Sequence, residues 1–276
     1  MLANPQQIIS QAQKNGYAIG CFNTSDLEIT KAIIYAAEKQ NSPVMIATSP
    51  KAIEYAGLEV LAEMIKQIAR ISKVPVSLHL DHGKSIEIVQ QCLDIGYQSV
   101  MIDGSEKPLE ENIRLTVEAV ETAHRHEAFC EGELGHLGKD GTNQNQLTNP
   151  DDVADFVSKT HIDLLAVSIG SKHGIEEDEN LNIELLKEIR SKTSAPLVLH
   201  GASGVSDEDI NQAIANGICK INIDTDIRHT FSKSIRQILA KYPQEEDFRK
   251  ILSEVMPDIQ KLIEEKIQLF GSDNKI

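Results

Sequence analysis

Short apolar runs alternate with longer amphipathic stretches along the whole chain. The runs at 17–23, 43–49, 74–82, 99–105, 128–135, 164–170, 196–203 and 220–226 are rich in β-branched and aliphatic residues. Such runs predict parallel strands buried on both faces. Between them, 27–40 places apolar residues at helical spacing with a polar face opposite, and 85–96 and 207–217 each end on a glycine suited to a helix C-cap. Strand followed by helix eight times over 276 residues predicts an α/β fold, a single (β/α)8 TIM barrel spanning 1–276. A doubly wound open sheet is the alternative, but no G-x-G-x-x-G follows the first strand and no G-x-x-x-x-G-K-[ST] occurs.

Residues 243–276 add a C-terminal helical extension. In it Ile251, Val255, Ile259, Leu262, Ile263, Ile267 and Phe270 recur at helical spacing. After a closed barrel, that stripe is expected to cover a barrel end or to meet another subunit, as in a homodimer or homotetramer.

Polar residues gather where the predicted strands end: Asn23, Thr48, Ser49, Asp81, His82, Asp103, Glu133, His173, His200, Asn222, Asp224 and Asp226. In a barrel of this kind the chemistry sits at the carboxyl ends of the strands. His82, His173 and His200 leave three different strands, and each is followed at once by glycine. Three imidazoles converging on one ion with a position left open is the arrangement of a catalytic zinc. A lone strand-end histidine is more often a hydrogen-bonded loop residue; three in one context favour metal. Asp81 adjoins His82, and both reach one site only where the strand turns into its loop. There Asp81 can exchange a proton with a bound oxygen or merely orient a ligand histidine. The other histidines, His79, His124, His126, His136, His161 and His229, carry less weight.

The bulk numbers narrow the partners. With 27 basic and 42 acidic residues the formal charge is −15, which disfavours nucleic acid or an anionic membrane as the main partner. No stretch is long and apolar enough for a membrane span, and no signal-peptide pattern opens the chain, so a cytoplasmic location is expected. Cys21, Cys92, Cys130 and Cys219 show no C-x-x-C spacing and read as buried free thiols. An acidic chain that binds phosphate needs local donors. The glycines of HGASG (200–204) before a helix provide backbone N–H groups, and NIDTD (222–226) ends the next strand beside them.

Six motifs, LHLDHG (78–83), SVMIDGS (99–105), EGELGHLG (131–138), DLLAVSIGSKHG (163–174), PLVLHGASG (196–204) and KINIDTD (220–226), together resemble the class II, zinc-dependent ketose-bisphosphate aldolases. The nearest branch is the tagatose-1,6-bisphosphate aldolases, which share an ending like LFGSDNKI (269–276). The resemblance implies a zinc ion on His82, His173 and His200, and Asp81 as the residue exchanging a proton at the C4 oxygen. It implies dihydroxyacetone phosphate held by Gly174, Gly201, Ala202, Ser203, Asn222, Ile223, Asp224 and Thr225, with a monovalent cation near the phosphate. Asp103 and Glu133 fall close to the metal in this reading. The sugar-phosphate expected is tagatose 1,6-bisphosphate, then fructose 1,6-bisphosphate.

Three departures stand against the pattern. The loop at 138–146 is short and has Asp140 alone where acidic residues follow G-G in the family. Ala202 replaces a common glycine, although the tagatose branch resembled here accepts alanine at that place, and 173–182 is unusually acidic. These leave two further readings: an aldolase for another ketose phosphate, or a silent phosphosugar-binding accessory subunit. A Schiff-base aldolase using Lys172 would leave three histidines idle. Arg249 is a candidate for the second phosphate, reached from a neighbouring subunit.

Overall fold

The computed structural model describes residues 2–136, 146–172, 174 and 180–276. Its strands are β1 (Ile19–Asn23), β2 (Val44–Thr48), β3 (Val76–Gly83), β4 (Ser99–Ile102), β5 (Phe129–Leu134), β6 (Leu164–Val167), β7 (Leu197–Leu199) and β8 (Ile218–Ile223). All pair in parallel in sequence order, and β1 closes the barrel by pairing with β8, Cys21 opposite Asn222. The (β/α)8 architecture is therefore the observed one. Nearly every strand position is buried, which is why the runs lack alternation of polar and apolar residues.

The helices are α1 (Pro5–Asn15), α2 (Leu27–Lys39), α3 (Pro50–Ala56), α4 (Leu58–Ile71), α5 (Ile86–Asp94), α6 (Leu109–Arg125), α7 (Pro150–Thr160), α8 (Ile183–Lys192), α9 (Asp207–Ala215), α10 (Thr225–Lys241) and α11 (Phe248–Leu269). Helix α1 closes the amino end of the barrel: Ile8, Ile9 and Ala12 join Ile19, Cys21, Met45, Met101, Leu164, Val198 and Cys219 in an apolar plug. A second core fills the space between strands and outer helices.

The C-terminal stripe has a different destination from either one expected. Val255, Ile259, Ile263 and Ile267 of α11 are fully buried against α2 and α10 on the outside of the barrel. The stripe is thus consumed within the subunit. Burying four such side chains contributes about 1.5–3 kcal/mol each. The chain end is tied down too: Ala18 N donates to Phe270 O at 3.0 Å, and Ser42 Oγ donates to Ser272 Oγ at 3.0 Å. Among the described residues no helix is long and apolar enough to cross a membrane. All four cysteines are buried and free, as expected.

Candidate active site

Inward-facing residues change character along the barrel axis. Above the apolar plug come His79, Glu131 and Lys220, and above them Asn23, Asp81, His200 and Asn222, all buried. The period-two geometry of strands produces these pairs: His79 and Asp81 on β3, Glu131 and Glu133 on β5, Lys220 and Asn222 on β8.

His82 breaks that alternation. Its φ is +50°, in the left-handed region, and the β3–β4 register shifts between Leu80 and Gly83. The bulge turns His82 to the same side as Asp81, so neighbouring residues meet at one site. Gly83 allows the bend, since a Cβ there would lie 2.6 Å from the Met101 carbonyl oxygen.

Asp81 occupies the centre. Its Oδ2 accepts from Asn23 Nδ2 at 2.8 Å and its Oδ1 from Asn222 Nδ2 at 2.9 Å. The same Oδ1 lies 3.9 Å from His82 Nε2 and 3.7 Å from His200 Nδ1. The two imidazole rings approach edge to face, their centroids 4.7 Å apart. Burial alone would raise the Asp81 carboxyl, but the three nearby histidines, His82 foremost, and Asn23 hold it well below the usual carboxylate range.

Each imidazole is fixed from behind. His82 Nδ1 is 3.0 Å from Asp103 Oδ2 and 3.7 Å from Glu133 Oε2. Asp103 also accepts from Lys84 Nζ at 2.6 Å and from Ser105 Oγ at 2.6 Å. Burial pushes the His82 imidazole down, but Asp81, Asp103 and Glu133 outweigh it and bring its pKa to about 9. Burial and the Asp103 charge lift Glu133 to about 8. His200 Nε2 is 2.7 Å from Glu131 Oε1, and Ser171 Oγ donates to the His200 carbonyl at 2.7 Å. Burial holds the His200 pKa below its ordinary value. Burial likewise presses on Glu131, yet Lys220 at 2.8 Å and His200 keep it ionised.

A divalent cation fits these donors. Asp81, His82 and His200 offer ligand atoms within 4.8 Å of one another, and His82 with Asp103 and Glu133 forms a second such group. Imidazole nitrogen and carboxylate oxygen are the donors a zinc-like ion takes. The carboxylates that raise the His82 pKa would equally favour a metal cation beside that ring.

Residues 3–275 match the family model of the class-II fructose-bisphosphate aldolases. The chain belongs to this family. It is a class-II aldolase, a metal-dependent lyase. It is 38% identical to the fructose-bisphosphate aldolase of Thermus caldophilus, over 99% of each chain. It is 40% identical to the uncharacterized protein YdjI of Escherichia coli K12, over 100% of this chain and 99% of that one. The crystal structure described as the YdjI aldolase superposes with a TM-score of 0.90 at 39% identity, covering 100% of this chain and 99% of that one. A putative fructose-1,6-bisphosphate aldolase from Coccidioides immitis gives 0.90 at 29%, covering 99% and 97%.

Of the residues expected at the aldolase site, the barrel brings Asp81, His82, Asp103, Glu133, His200 and Asn222 together. His173 and Asp140 lie outside the described residues. Gly174 is described, with φ +130°. The phosphate-side residues need one adjustment. The HGASG glycines do not run straight into a helix: Gly201 is left-handed at φ +64°, and Ala202–Gly204 form a 3-10 turn. Helix α9 is closed by its own Ser206, whose Oγ accepts from Asp209 N at 3.1 Å, and three acidic residues occupy its first turn. Helix α10, starting at Thr225 after Asp224, has no side-chain cap, and Asp226 N donates to Ser203 Oγ at 3.2 Å. The turn and the start of α10 thus lie side by side. The carboxylates there are paired, Asp224 with Arg228 and Asp226 with Lys266, each at 2.9 Å. Ile223 is fully buried in β8 and has only its backbone to offer.

Glu131, Lys220 and His79 belong to the site without being expected there, and Asn23 has a role that its place at a strand end did not assign. A lysine among the buried residues of a strand run, KINI, was the available signal, because lysine is almost never buried without a partner. Arg249 is exposed and pairs with Asp247 through Nε and Nη2, both at 2.9 Å.

Proposed function

We propose that this aldolase reversibly cleaves a ketose 1,6-bisphosphate to dihydroxyacetone phosphate and glyceraldehyde 3-phosphate. Tagatose 1,6-bisphosphate is the first candidate, on the HGASG and LFGSDNKI motifs, and fructose 1,6-bisphosphate the second, on the names of the relatives. The observation that carries the reading is Asp81, a buried carboxylate wedged between two imidazoles and oriented by two asparagines.

His82 through Nε2 and His200 through Nδ1 would hold a zinc ion with His173. A zinc ion there supplies Lewis acidity, making a substrate hydroxyl acidic and stabilising charge on substrate oxygens. In cleavage Asp81 takes the C4 hydroxyl proton as the C3–C4 bond breaks, the bonding pair stays on the dihydroxyacetone half as an enediolate, and a second acid, for which Asp140 is the sequence's candidate, protonates C3; synthesis reverses both transfers. Asn23 and Asn222 keep the carboxylate oriented for both directions. The Gly174 backbone, the Gly201–Ala202–Ser203 turn and the Asn222–Ile223–Asp224–Thr225 segment opening α10 bind the phosphate of the dihydroxyacetone half. A monovalent cation beside that phosphate belongs to the same reading.

The far end of the substrate has a matching space. A cavity of about 420 Å³ opens beside Asn23 and Asp224, lined also by Ser49, Lys51, Tyr55 and Arg228. Two basic side chains on an acidic protein suit the second phosphate, and both come from this subunit.

A cytoplasmic location agrees with four free thiols. Homo-oligomerisation, now without the C-terminal stripe to support it, rests on exposed apolar residues such as Tyr55, Val60 and Ile71, and sedimentation at working concentration decides it.

The test is aldol cleavage of both sugars side by side, with EDTA and then added zinc. Loss with EDTA and recovery with zinc is expected, and the rate ratio names the sugar. No cleavage of either by zinc-loaded protein would sink the substrate assignment.

A further inference from the structure

Lys220 sits one inward position below Asn222 on β8 and is fully buried. Its Nζ donates to Asn222 Oδ1 at 2.7 Å and to Glu131 Oε2 at 2.8 Å. Both partners lead directly to residues that the proposed mechanism uses. We propose that Lys220 is a positioning residue that fixes the Asn222 amide against Asp81 and, through Glu131, selects the ring nitrogen that His200 turns to the site. The inference rests on the aldolase reading only in taking Asp81 and His200 as working residues.

The reason lies in donors and acceptors. An ammonium can only donate and a carboxylate can only accept. With Lys220 claiming Oδ1, Asn222 must turn its NH2 toward Asp81, as the 2.9 Å contact records. The opposite rotamer would set NH2 against the ammonium and a carbonyl oxygen against a carboxylate, replacing two charge-assisted hydrogen bonds by two repulsions. Glu131 divides its oxygens in the same way: Oε2 takes Lys220, and Oε1 takes His200 Nε2 at 2.7 Å. The proton of neutral His200 therefore sits on Nε2, leaving the Nδ1 lone pair facing Asp81. One cation thus sets geometry on β3, β5, β7 and β8.

Stability is a weaker account of Lys220. Replacing a buried ion pair by apolar residues is often neutral or stabilising. A lysine placed for packing alone has no reason to end on the partners of Asp81 and His200.

The proposal predicts an inversion. In Glu131→Gln, Lys220 claims the oxygen of the new side-chain amide, the amide NH2 turns to His200, and the His200 proton moves to Nδ1. When Lys220→Met is added to Glu131→Gln nothing orients that amide, and both tautomers are populated. Ring 15N–1H correlation spectra of the metal-free, full-length protein read this directly, alongside zinc titration and steady-state kinetics. We expect zinc binding about 10–100-fold weaker in either variant, and a lower kcat with KM little changed. A His200 that stays protonated on Nε2 in folded Glu131→Gln, with wild-type zinc affinity, overturns the proposal. If the double variant does not fold, the volume-conserving Glu131→Gln decides the matter alone. Tautomer and zinc readouts need no turnover, so wild-type protein that cleaves neither sugar defeats the substrate reading without touching this one.

Discussion

The two walls of the site hold their histidines by opposite means. On the β3–β5 wall, His82 faces Asp81, Asp103 and Glu133, with the half-exposed Lys84 as the nearby cation. On the β7–β8 wall, His200 backs onto Glu131, whose charge is matched by buried Lys220. The first wall sets three carboxyl groups about one imidazole, whose pKa they raise. The second is charge-balanced, and its imidazole stays neutral. The difference assigns affinity for a cation mainly to the first wall and fixed geometry mainly to the second.

Asp81 touches both walls, so its removal has the largest effect on turnover. Asp81→Ala is expected to lower kcat by about 10²–10⁴, the range for loss of a positioned acid–base group, while zinc remains bound. Metal analysis and single-turnover cleavage check it. Near wild-type turnover would show that Asp81 only orients His82 and His200.

Asp103→Asn acts on the first wall alone. It keeps the shape but removes charge behind His82, and the expected loss of zinc affinity is about 10–100-fold. A competition titration with a chromophoric chelator measures it. An unchanged affinity would break the contrast, because charge on that wall would then not govern binding.

How much of this is legible in the sequence differs by residue. Eight apolar runs specify the barrel because a parallel sheet buried on both faces tolerates little else. Asp81, His82 and His200 stand out because polar side chains closing such runs have no packing reason to be there. For His82 and Asp81 to reach one site the strand needs a bulge, and glycine at 83 is its trace. Lys220 and Glu131 lie below the strand ends, where apolar filling is the expectation, and only their pairing across 89 positions explains them. The α11 stripe is legible as a stripe. Its partner is not, because helical periodicity says that a face is buried and nothing about what covers it.

The first wall also predicts opposing responses to pH for zinc binding and for metal-free stability. A metal must displace the proton on His82, whose pKa stands at about 9. Zinc affinity should therefore rise with pH, by up to roughly tenfold per unit below pH 9. Ionisation of Glu133 near 8 adds in the same direction. The metal-free protein goes the other way. Because the His82 pKa is raised on folding, its contribution to stability is complete below about pH 6.5 and is lost as pH climbs through 9. Titrations and melting curves across roughly pH 6.5 to 8.5 test both signs, and a flat zinc affinity would remove His82 as the proton-coupled ligand.

Lys84 gives the smallest and most discriminating effect. Its ammonium donates to Asp103 from a half-exposed position, so water screens much of the interaction. If the first wall works by net charge, Lys84→Met takes away a competing cation and strengthens zinc binding, by about 1.4- to fivefold for the ~0.2–1 kcal/mol of an exposed pair. The gain should shrink as salt is raised. If Lys84 instead serves to hold Asp103 in line with His82 Nδ1, the same substitution weakens binding. The sign of a small change thus separates charge from orientation, and weaker binding in Lys84→Met would make the two walls alike, both built for geometry.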